Sequence, residues 1–184
     1  MVDEILVRNI PAPIGVYALC DLDGVPVYVG QSGGGKSGGG IRERVRRHLT
    51  SARSDVIANR EIDIWEIAYV WAWPTDKEHI PTLEAHLFHE FDAQKRLMNG
   101  SVPKHPGVID FEVPERLVTQ VLNDAEIAAR LKPEVRLARQ VQHYEALLDH
   151  ILQVKNVAAL RRSLAAHYER LRQYHDAFLG PPGV

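Results

Sequence analysis

The sequence predicts an α+β fold: a small, three-stranded, mainly antiparallel sheet flanked by helices and followed by an all-helical C-terminal part. Two apolar runs joined by a turn signal predict a β-hairpin, and a third run, rich in aromatic residues, alternates with period two. From residue 114 onward, apolar residues recur at helical spacing. We therefore divide the 184 residues into a unit over 1–113 and a helical region over 114–184.

The first two strands are predicted over residues 14–20 and 25–29. The separator Asp-Leu-Asp-Gly is a turn signal, because Asp and Gly tolerate the backbone angles of a tight hairpin. In an antiparallel pair, Tyr17 and Tyr28 can approach each other across the ladder. A purely structural hairpin would carry Val or Ile at such positions, so the two tyrosines are candidates for a functional site.

A glycine-rich loop over 31–40 leads into a helix predicted over 41–51, whose apolar residues recur every four positions. Residues 41–53 carry a basic patch within an otherwise acidic part of the chain, a distribution that suits a focused phosphate contact. A solvated amphipathic helix is the alternative interpretation. The basic side chains of the patch are Arg42, Arg44, Arg46, Arg47 and Arg53, against the single acid Glu43.

The third strand is predicted over 62–73, and a helix over 82–97 ends at Asn99-Gly100. Glu84 shares a face of this helix with apolar residues at i+3, i+4 and i+7, so its carboxylate should point inward. Burying an unpaired carboxylate costs several kcal/mol, so Glu84 needs a partner, and a metal ion is one.

The C-terminal region is predicted to hold three helices. Pro114 opens a short one, Pro133 opens a longer one to about Gln153, and Asn156 caps a third that ends at Gly180. The last two form a helical hairpin.

Composition points to a cytoplasmic protein. The chain has a single cysteine, which excludes an intramolecular disulfide and a cysteine-based zinc site. The first ten residues lack the features of a signal peptide, and no apolar run approaches the roughly 20 residues of a membrane helix.

Taken together, these motifs resemble the GIY-YIG nuclease superfamily over roughly the first 100 residues. The resemblance rests on Gly15-Val16-Tyr17, on Tyr28-Val29-Gly30, and on the order in which an arginine helix, a helical glutamate and a loop asparagine follow. It implies a metal-dependent DNA endonuclease that hydrolyses phosphodiester bonds. Mg²⁺ or Mn²⁺ is the implied cofactor, and DNA is the implied partner. A homodimer is one expected form of the protein, because cutting both strands with one active site favours a dimer.

The resemblance also implies roles for individual residues. Tyr17 is the general base for the attacking water, and its pKa would need lowering by the arginine helix. Tyr28 orients the water or contacts the phosphate. Gly15 and Gly30 are the structural glycines of the two motifs, Glu84 is the metal ligand, and Asn99 supports the site.

The arginine that contacts the scissile phosphate is either Arg42 or Arg44, because the glycine loop is longer than the family's usual link. We choose Arg44, since His48 then falls at the expected offset on the same helical face. Further DNA contacts are expected from Lys36, Arg42, Arg46 and Arg47, and from Arg162 and Arg172 of the C-terminal helices. Those helices alternatively pack on the first unit or form a dimer interface.

Two other functions compete with the nuclease. The first is a GIY-YIG fold that binds DNA without cutting it, and the full set of site residues argues against it. The stretch from Gly30 to Ser37 also fits the P-loop pattern of nucleotide-binding enzymes. Three glycines directly after Ser37 weigh against a P-loop, because its helix should begin at the lysine.

Overall fold

The structure, a computed structural model, describes residues 4–33, 39–50 and 61–180. These residues form an α+β fold, as predicted, but the sheet has four antiparallel strands rather than three. The strands are β1 (Gly15–Cys20), β2 (Pro26–Ser32), β3 (Tyr69–Pro74) and β4 (Leu117–Gln120). The helices are α1 (Glu4–Val7), α2 (Ile41–Thr50), α3 (Ile80–Gln94), α4 (Asp124–Arg130), α5 (Pro133–Gln153) and α6 (Ala158–Leu179).

The sheet has the strand order β2-β1-β3-β4, so that β1 is central and β2 lies at one edge. The predicted hairpin of β1 and β2 is confirmed. Its turn is fixed by Asp21, whose Oδ1 accepts hydrogen bonds from the backbone N–H groups of Asp23 and Val25, both at 3.0 Å. Gly24 adopts φ +75°, a conformation that favours glycine.

The fourth strand lies in the region predicted to be all-helical. Pro114 does not open a helix; instead Leu117–Gln120 pairs antiparallel with β3, Trp71 lying opposite Val118. Val118 and Thr119 are β-branched and suit a short edge strand. The Arg116 guanidinium also lies 3.9 Å from the centre of the Trp71 ring. The sheet therefore includes residues on both sides of position 113.

The third strand is shorter than the predicted 62–73. Its first part instead forms a 3₁₀ turn over Ile64–Glu66. Asp63 caps this turn, because its Oδ1 accepts a hydrogen bond from the Trp65 N–H at 3.1 Å. A local side-chain bond of this kind competes with the strand ladder.

Both faces of β1 are buried, with helices on either side. Val16 and Ala18 pack in one core with Leu83 and Phe88 of α3. Tyr17 lies in the opposite core, with Ile41 and Val45 of α2 among its members. The alternation of β1 therefore directs Tyr17 toward the arginine helix.

The C-terminal helical hairpin is confirmed, and α5 has the predicted bounds. Helix α6 begins at Ala158, and Asn156 does not cap it. The Asn156 side-chain oxygen instead accepts a hydrogen bond from Arg161 Nη1 at 2.8 Å. No helix of the described residues has the length and apolar character needed to cross a membrane.

One buried and two partly buried ion pairs connect the hairpin to the rest of the molecule. Arg136 of α5 binds Glu66 Oε2 through Nη2 at 2.9 Å and Asp23 Oδ2 through Nη1 at 2.7 Å. Arg139 grips the carboxylate of Asp63 with two hydrogen bonds, at 2.8 and 2.9 Å. In the structure, these helices therefore pack on the first unit. Arg136 and Arg139 form ion pairs in that contact.

Replacing Arg136 with alanine is expected to lower the free energy of unfolding by about 3–5 kcal/mol, because it leaves the buried Glu66 carboxylate without its cation. Urea denaturation measures this change. Arg172→Ala, at an exposed position of α6, is the matched control and should stay within about 0.5 kcal/mol of the wild type. A loss below about 1 kcal/mol at Arg136 would show that the pair does not hold the hairpin in place.

Candidate active site

The two motif glycines are required by close approach of their neighbours. A Cβ at Gly30 would lie 2.6 Å from Tyr17 Oη, so the phenol of Tyr17 occupies the space of a side chain there. A Cβ at Gly15 would lie 2.2 Å from the backbone oxygen of Trp73, and Gly15 adopts φ +154°. Both glycines thus have a steric reason, and Gly30 in particular makes room for a candidate site residue.

Three rings converge above the hairpin. The register pairs Tyr17 with Gly30, which makes Tyr17 and Tyr28 diagonal neighbours with ring centroids 6.4 Å apart. His48 of α2 lies against both, with centroid distances of 6.1 Å to Tyr17 and 5.4 Å to Tyr28. Tyr17 Oη and His48 Nε2 are 2.9 Å apart, a hydrogen-bonding distance. The structure therefore brings these three predicted site residues together.

The acidity of Tyr17 differs from the expectation. Burial raises its pKa above the ordinary value for tyrosine, and the nearby Tyr28 adds to the increase. The charge and hydrogen bonding of Arg44 act in the predicted direction, but burial outweighs them. Arg44 thus lowers the pKa of Tyr17 as expected, but by less than burial raises it, and Tyr17 is a neutral phenol at neutral pH.

His48 is neutral as well. Burial, followed by the charges of Arg44 and Arg47, lowers its pKa to about 4. A neutral imidazole has one acceptor nitrogen. In the tautomer with the proton on Nδ1, His48 Nε2 accepts a hydrogen bond from the Tyr17 hydroxyl.

Arg42 and Arg44 are both exposed on α2, but their surroundings differ. Arg42 donates from Nε to the backbone oxygen of Ile10 at 2.7 Å, which ties α2 to the N-terminal segment. Arg44 acts electrostatically on Tyr17, Tyr28 and His48. Of the two candidates, Arg44 is the one beside the converging rings.

Glu84 lies on α3, beside the edge strand β2. Its Oε2 accepts a hydrogen bond from Gln31 Nε2 at 2.7 Å. Burial raises the pKa of Glu84, and the bond from Gln31 partly opposes that increase. Glu84 also lines a cleft of about 340 Å³ together with Tyr28 and Asn99. The inward direction predicted for its carboxylate agrees with this position.

Asn99 binds the backbone of β2 rather than presenting a free amide to the cleft. Its Oδ1 accepts from the Val29 N–H at 3.0 Å, and its Nδ2 donates to the Val29 carbonyl at 2.7 Å. The Met98 N–H likewise donates to the Val27 carbonyl at 2.7 Å. Asn99 thereby satisfies backbone groups at the open edge of β2 between Tyr28 and Gly30.

The remaining basic candidates differ in their availability to a phosphate. Arg46, Arg47 and Arg172 are exposed, and Arg47 pairs with Glu43 at 3.4 Å. Arg162 forms an ion pair with Asp92, and its guanidinium lies 5.5 Å from the Phe88 ring centre. Only 15% of the Arg162 side chain is exposed, so we drop it as a DNA contact. Lys36 and Arg53 lie outside the described residues.

Two polar residues of the site were not predicted. Gln31 was assigned to the glycine loop, yet it belongs to β2 and binds Glu84. Period-two continuation of Val29 would have placed it on the α3 side of the sheet. Glu61 also lines the cleft, and no local sequence signal marks it.

The donor set of the cleft suits a hard divalent cation. Its polar lining includes the carboxylates of Glu61 and Glu84 and the hydroxyls of Tyr28 and Ser101. Within the described ranges there is no group of three or more His, Cys, Asp or Glu side chains placed to hold a metal. Mg²⁺ takes few protein ligands and keeps several waters, so such a sparse oxygen site fits it better than it fits zinc.

The context of the P-loop-like stretch differs from that of a nucleotide-binding loop. The strand before it, β2, pairs antiparallel with β1, whereas the motif follows a strand of a parallel sheet. Helix α2 begins at Ile41 rather than at the motif lysine. Residues 34–38, which include Lys36, lie outside the described part of the chain.

Comparisons with protein-family models, with curated proteins and with solved structures found no match to this chain.

Proposed function

We propose that the chain is a metal-dependent DNA endonuclease of the GIY-YIG type that hydrolyses phosphodiester bonds. The observation that carries this proposal is the convergence of Tyr17, Tyr28 and His48 beside Arg44, next to a cleft that contains Glu84. The task of such a site is to activate a water, to neutralise charge on the phosphoryl oxygens and to stabilise the leaving oxygen. The residues present supply a group for each task.

Arg44 contacts the scissile phosphate. Its side chain is exposed, and its charge acts on both tyrosines, so a phosphate drawn to Arg44 lies beside the partly exposed Tyr28, with Tyr17 buried behind it. A guanidinium offers several donors in a fixed fork, which suits phosphate oxygens. Arg44 therefore stabilises the charge that develops during the displacement.

Tyr17 and His48 move the proton of the attacking water. Because Tyr17 is a neutral phenol, it accepts a proton only as it gives up its own. The 2.9 Å contact to His48 Nε2 provides the acceptor. Tyr17 thus takes the water proton while its hydroxyl proton passes to His48, and the phenolate is never a stable species in this scheme.

Glu84 holds the divalent cation, with Gln31 fixing one carboxylate oxygen. When bound, Mg²⁺ or Mn²⁺ polarises the phosphoryl oxygens and stabilises the leaving oxygen. Asn99 and the segment beside it keep β2, and with it Tyr28 and Gly30, in place at the sheet edge. A cytoplasmic setting suits the single, buried thiol of Cys20.

Nicking of supercoiled plasmid in the presence of Mg²⁺ or Mn²⁺ tests the proposal. The wild type is expected to convert the plasmid to open-circular or linear forms, and Arg44→Ala is expected to do so at least about 100-fold more slowly. Arg42→Ala is the matched control, because Arg42 lies on the same helix but on another face, bound to the Ile10 backbone oxygen, and it should retain most of the rate. If Arg42→Ala were the inactive variant and Arg44→Ala the active one, the phosphate contact would belong to Arg42.

A DNA-binding module without catalysis is the competing interpretation, and the same experiment separates the two. Binding of a labelled duplex with no metal-dependent cleavage of plasmid, linear or branched DNA would favour that module. All three DNA substrates are included so that a nuclease specific for linear or branched DNA is not mistaken for an inactive protein.

A further inference from the structure

Glu61 shares the cleft with Glu84 although it comes from a different part of the fold. It precedes the 3₁₀ turn, whereas Glu84 lies on α3. A methyl group at position 100 would lie 3.0 Å from Glu61 Oε1, so the carboxylate rests directly over Gly100. Gly100 follows Asn99, the residue whose side chain forms hydrogen bonds with the backbone of β2. Glu61 is therefore next to the segment that supports the proposed catalytic strand.

The C-terminal helical hairpin contacts the backbone of Glu61. His167 of α6 is fully buried and donates from Nε2 to the Glu61 backbone oxygen at 2.9 Å. Its Nδ1 faces Gln140 Nε2 of α5 at 3.0 Å, which fixes the ring orientation. Burial and the neighbouring His143 lower the pKa of His167 to about 3, so it stays neutral and keeps this tautomer. Both helices of the hairpin thus help position one cleft carboxylate.

Both acids of the cleft act on Tyr28. Glu61 and Glu84 each contribute to raising the pKa of the Tyr28 phenol, although burial is the largest cause. Both carboxylates therefore lie close enough to Tyr28 for their charges to reach it, around the same part of the cleft.

We propose that Glu61 is a second carboxylate of the divalent-cation site, acting together with Glu84. This inference rests on the proposed nuclease function, and it adds a ligand role that the motif residues do not include. It also assigns the C-terminal hairpin a part in the site, through the bond from His167. In this role, Glu61 would supply negative charge to the cation, together with Glu84.

Binding of Mn²⁺ to the full-length protein without DNA tests the role of Glu61 apart from activity. Electron paramagnetic resonance measures free Mn²⁺ during the titration. Glu61→Gln keeps the size of the side chain but removes its charge, and it should weaken Mn²⁺ binding about 10-fold or more, within the range for residues that support a metal. Glu145→Gln, at an exposed position of α5, is the matched control and should bind as the wild type does.

A second variant keeps the test decisive if Glu61→Gln does not fold, as judged by its thermal melting. Gly100→Ala places a methyl group against the Glu61 carboxylate and against Ala159 Cβ, which would be 2.9 Å away, and it should weaken Mn²⁺ binding by displacing the carboxylate. Wild-type Mn²⁺ affinity in a folded Glu61→Gln variant overturns the proposal. If Glu61→Gln does not fold, wild-type Mn²⁺ affinity in Gly100→Ala overturns it. A wild-type protein that binds no Mn²⁺ also overturns it.

The outcomes also separate this inference from the nuclease. Metal-dependent cleavage by the wild type with unchanged Mn²⁺ affinity in Glu61→Gln leaves the nuclease standing and removes Glu61 from the site. Weakened Mn²⁺ binding in Glu61→Gln, with no cleavage of any DNA substrate by the wild type, keeps the cation site and removes the nuclease.

Discussion

Glu84→Gln is expected to reduce metal-dependent plasmid cleavage by at least about 10³-fold, because a cation contributes several kcal/mol of charge stabilisation and each 1.4 kcal/mol or so is a factor of ten. Glutamine keeps the size of the side chain and its place beside Gln31, but it lacks the charge that holds the cation. DNA affinity, measured by fluorescence anisotropy without divalent metal, should change little. Loss of both cleavage and binding would instead indicate a structural role.

The control for this variant lies on the same helix. Glu90 is exposed on α3 and lies 3.8 Å from His86 across one turn, away from the lining of the cleft. Glu90→Gln removes an equal charge and should cleave at the wild-type rate. If Glu84→Gln and Glu90→Gln behaved alike, the assignment of Glu84 as the metal ligand would be wrong.

Local pattern was sufficient for the parts of the site that depend on short-range geometry. The turn after Cys20 closes the hairpin, and a register shift between Leu19 and Cys20, which no local pattern marks, then places Tyr17 opposite Gly30. Helical spacing places Arg44 and His48 on one face of α2, and burial of that helix brings His48 to the tyrosines. The order of these residues along the chain therefore carried real information on their proximity.

Prediction failed where tertiary contacts decide. Strand β4 is only four residues long, too short to show a strand pattern in the sequence, and it is recognised by its pairing with β3. The 3₁₀ turn after Asp63 depends on a side-chain cap that also binds Arg139 of a distant helix. Arg162 looked like a surface cation, but its ion partner, Asp92, is 70 positions away in the sequence. No window of neighbouring residues contains these partners.

The acidity of Tyr17 is the most consequential property that residue spacing does not give, because it changes the mechanism. Residue spacing predicts a cation near Tyr17, and Arg44 is there. Spacing does not give the extent of burial, and Tyr17 is fully buried. Desolvation disfavours the phenolate more than one exposed arginine favours it. The proton acceptor next to Tyr17 then becomes as important as the cation.

Tyr17→Phe is therefore expected to lower the single-turnover cleavage rate about 10²–10⁴-fold, the range for general acid–base catalysis. The ring remains, so the core around it is retained, while His48 loses its hydroxyl partner. Tyr174→Phe is the matched control, because Tyr174 is also a buried tyrosine with a hydrogen-bonded hydroxyl, donated to Glu66 at 3.2 Å. Its cleavage rate should match that of the wild type even if its stability falls.

The pH dependence of the wild-type rate distinguishes the two ways in which Tyr17 can act. If His48 accepts the proton, its neutral form is required, and with a pKa of about 4 for His48 the rate should stay level across the neutral range and fall only in acid, as His48 and the metal-binding Glu84 become protonated. If a free phenolate were the base, the rate would instead rise about tenfold per pH unit across the neutral range, because the pKa of Tyr17 lies above its ordinary value. A level profile supports the relay through His48, and a slope near one contradicts it.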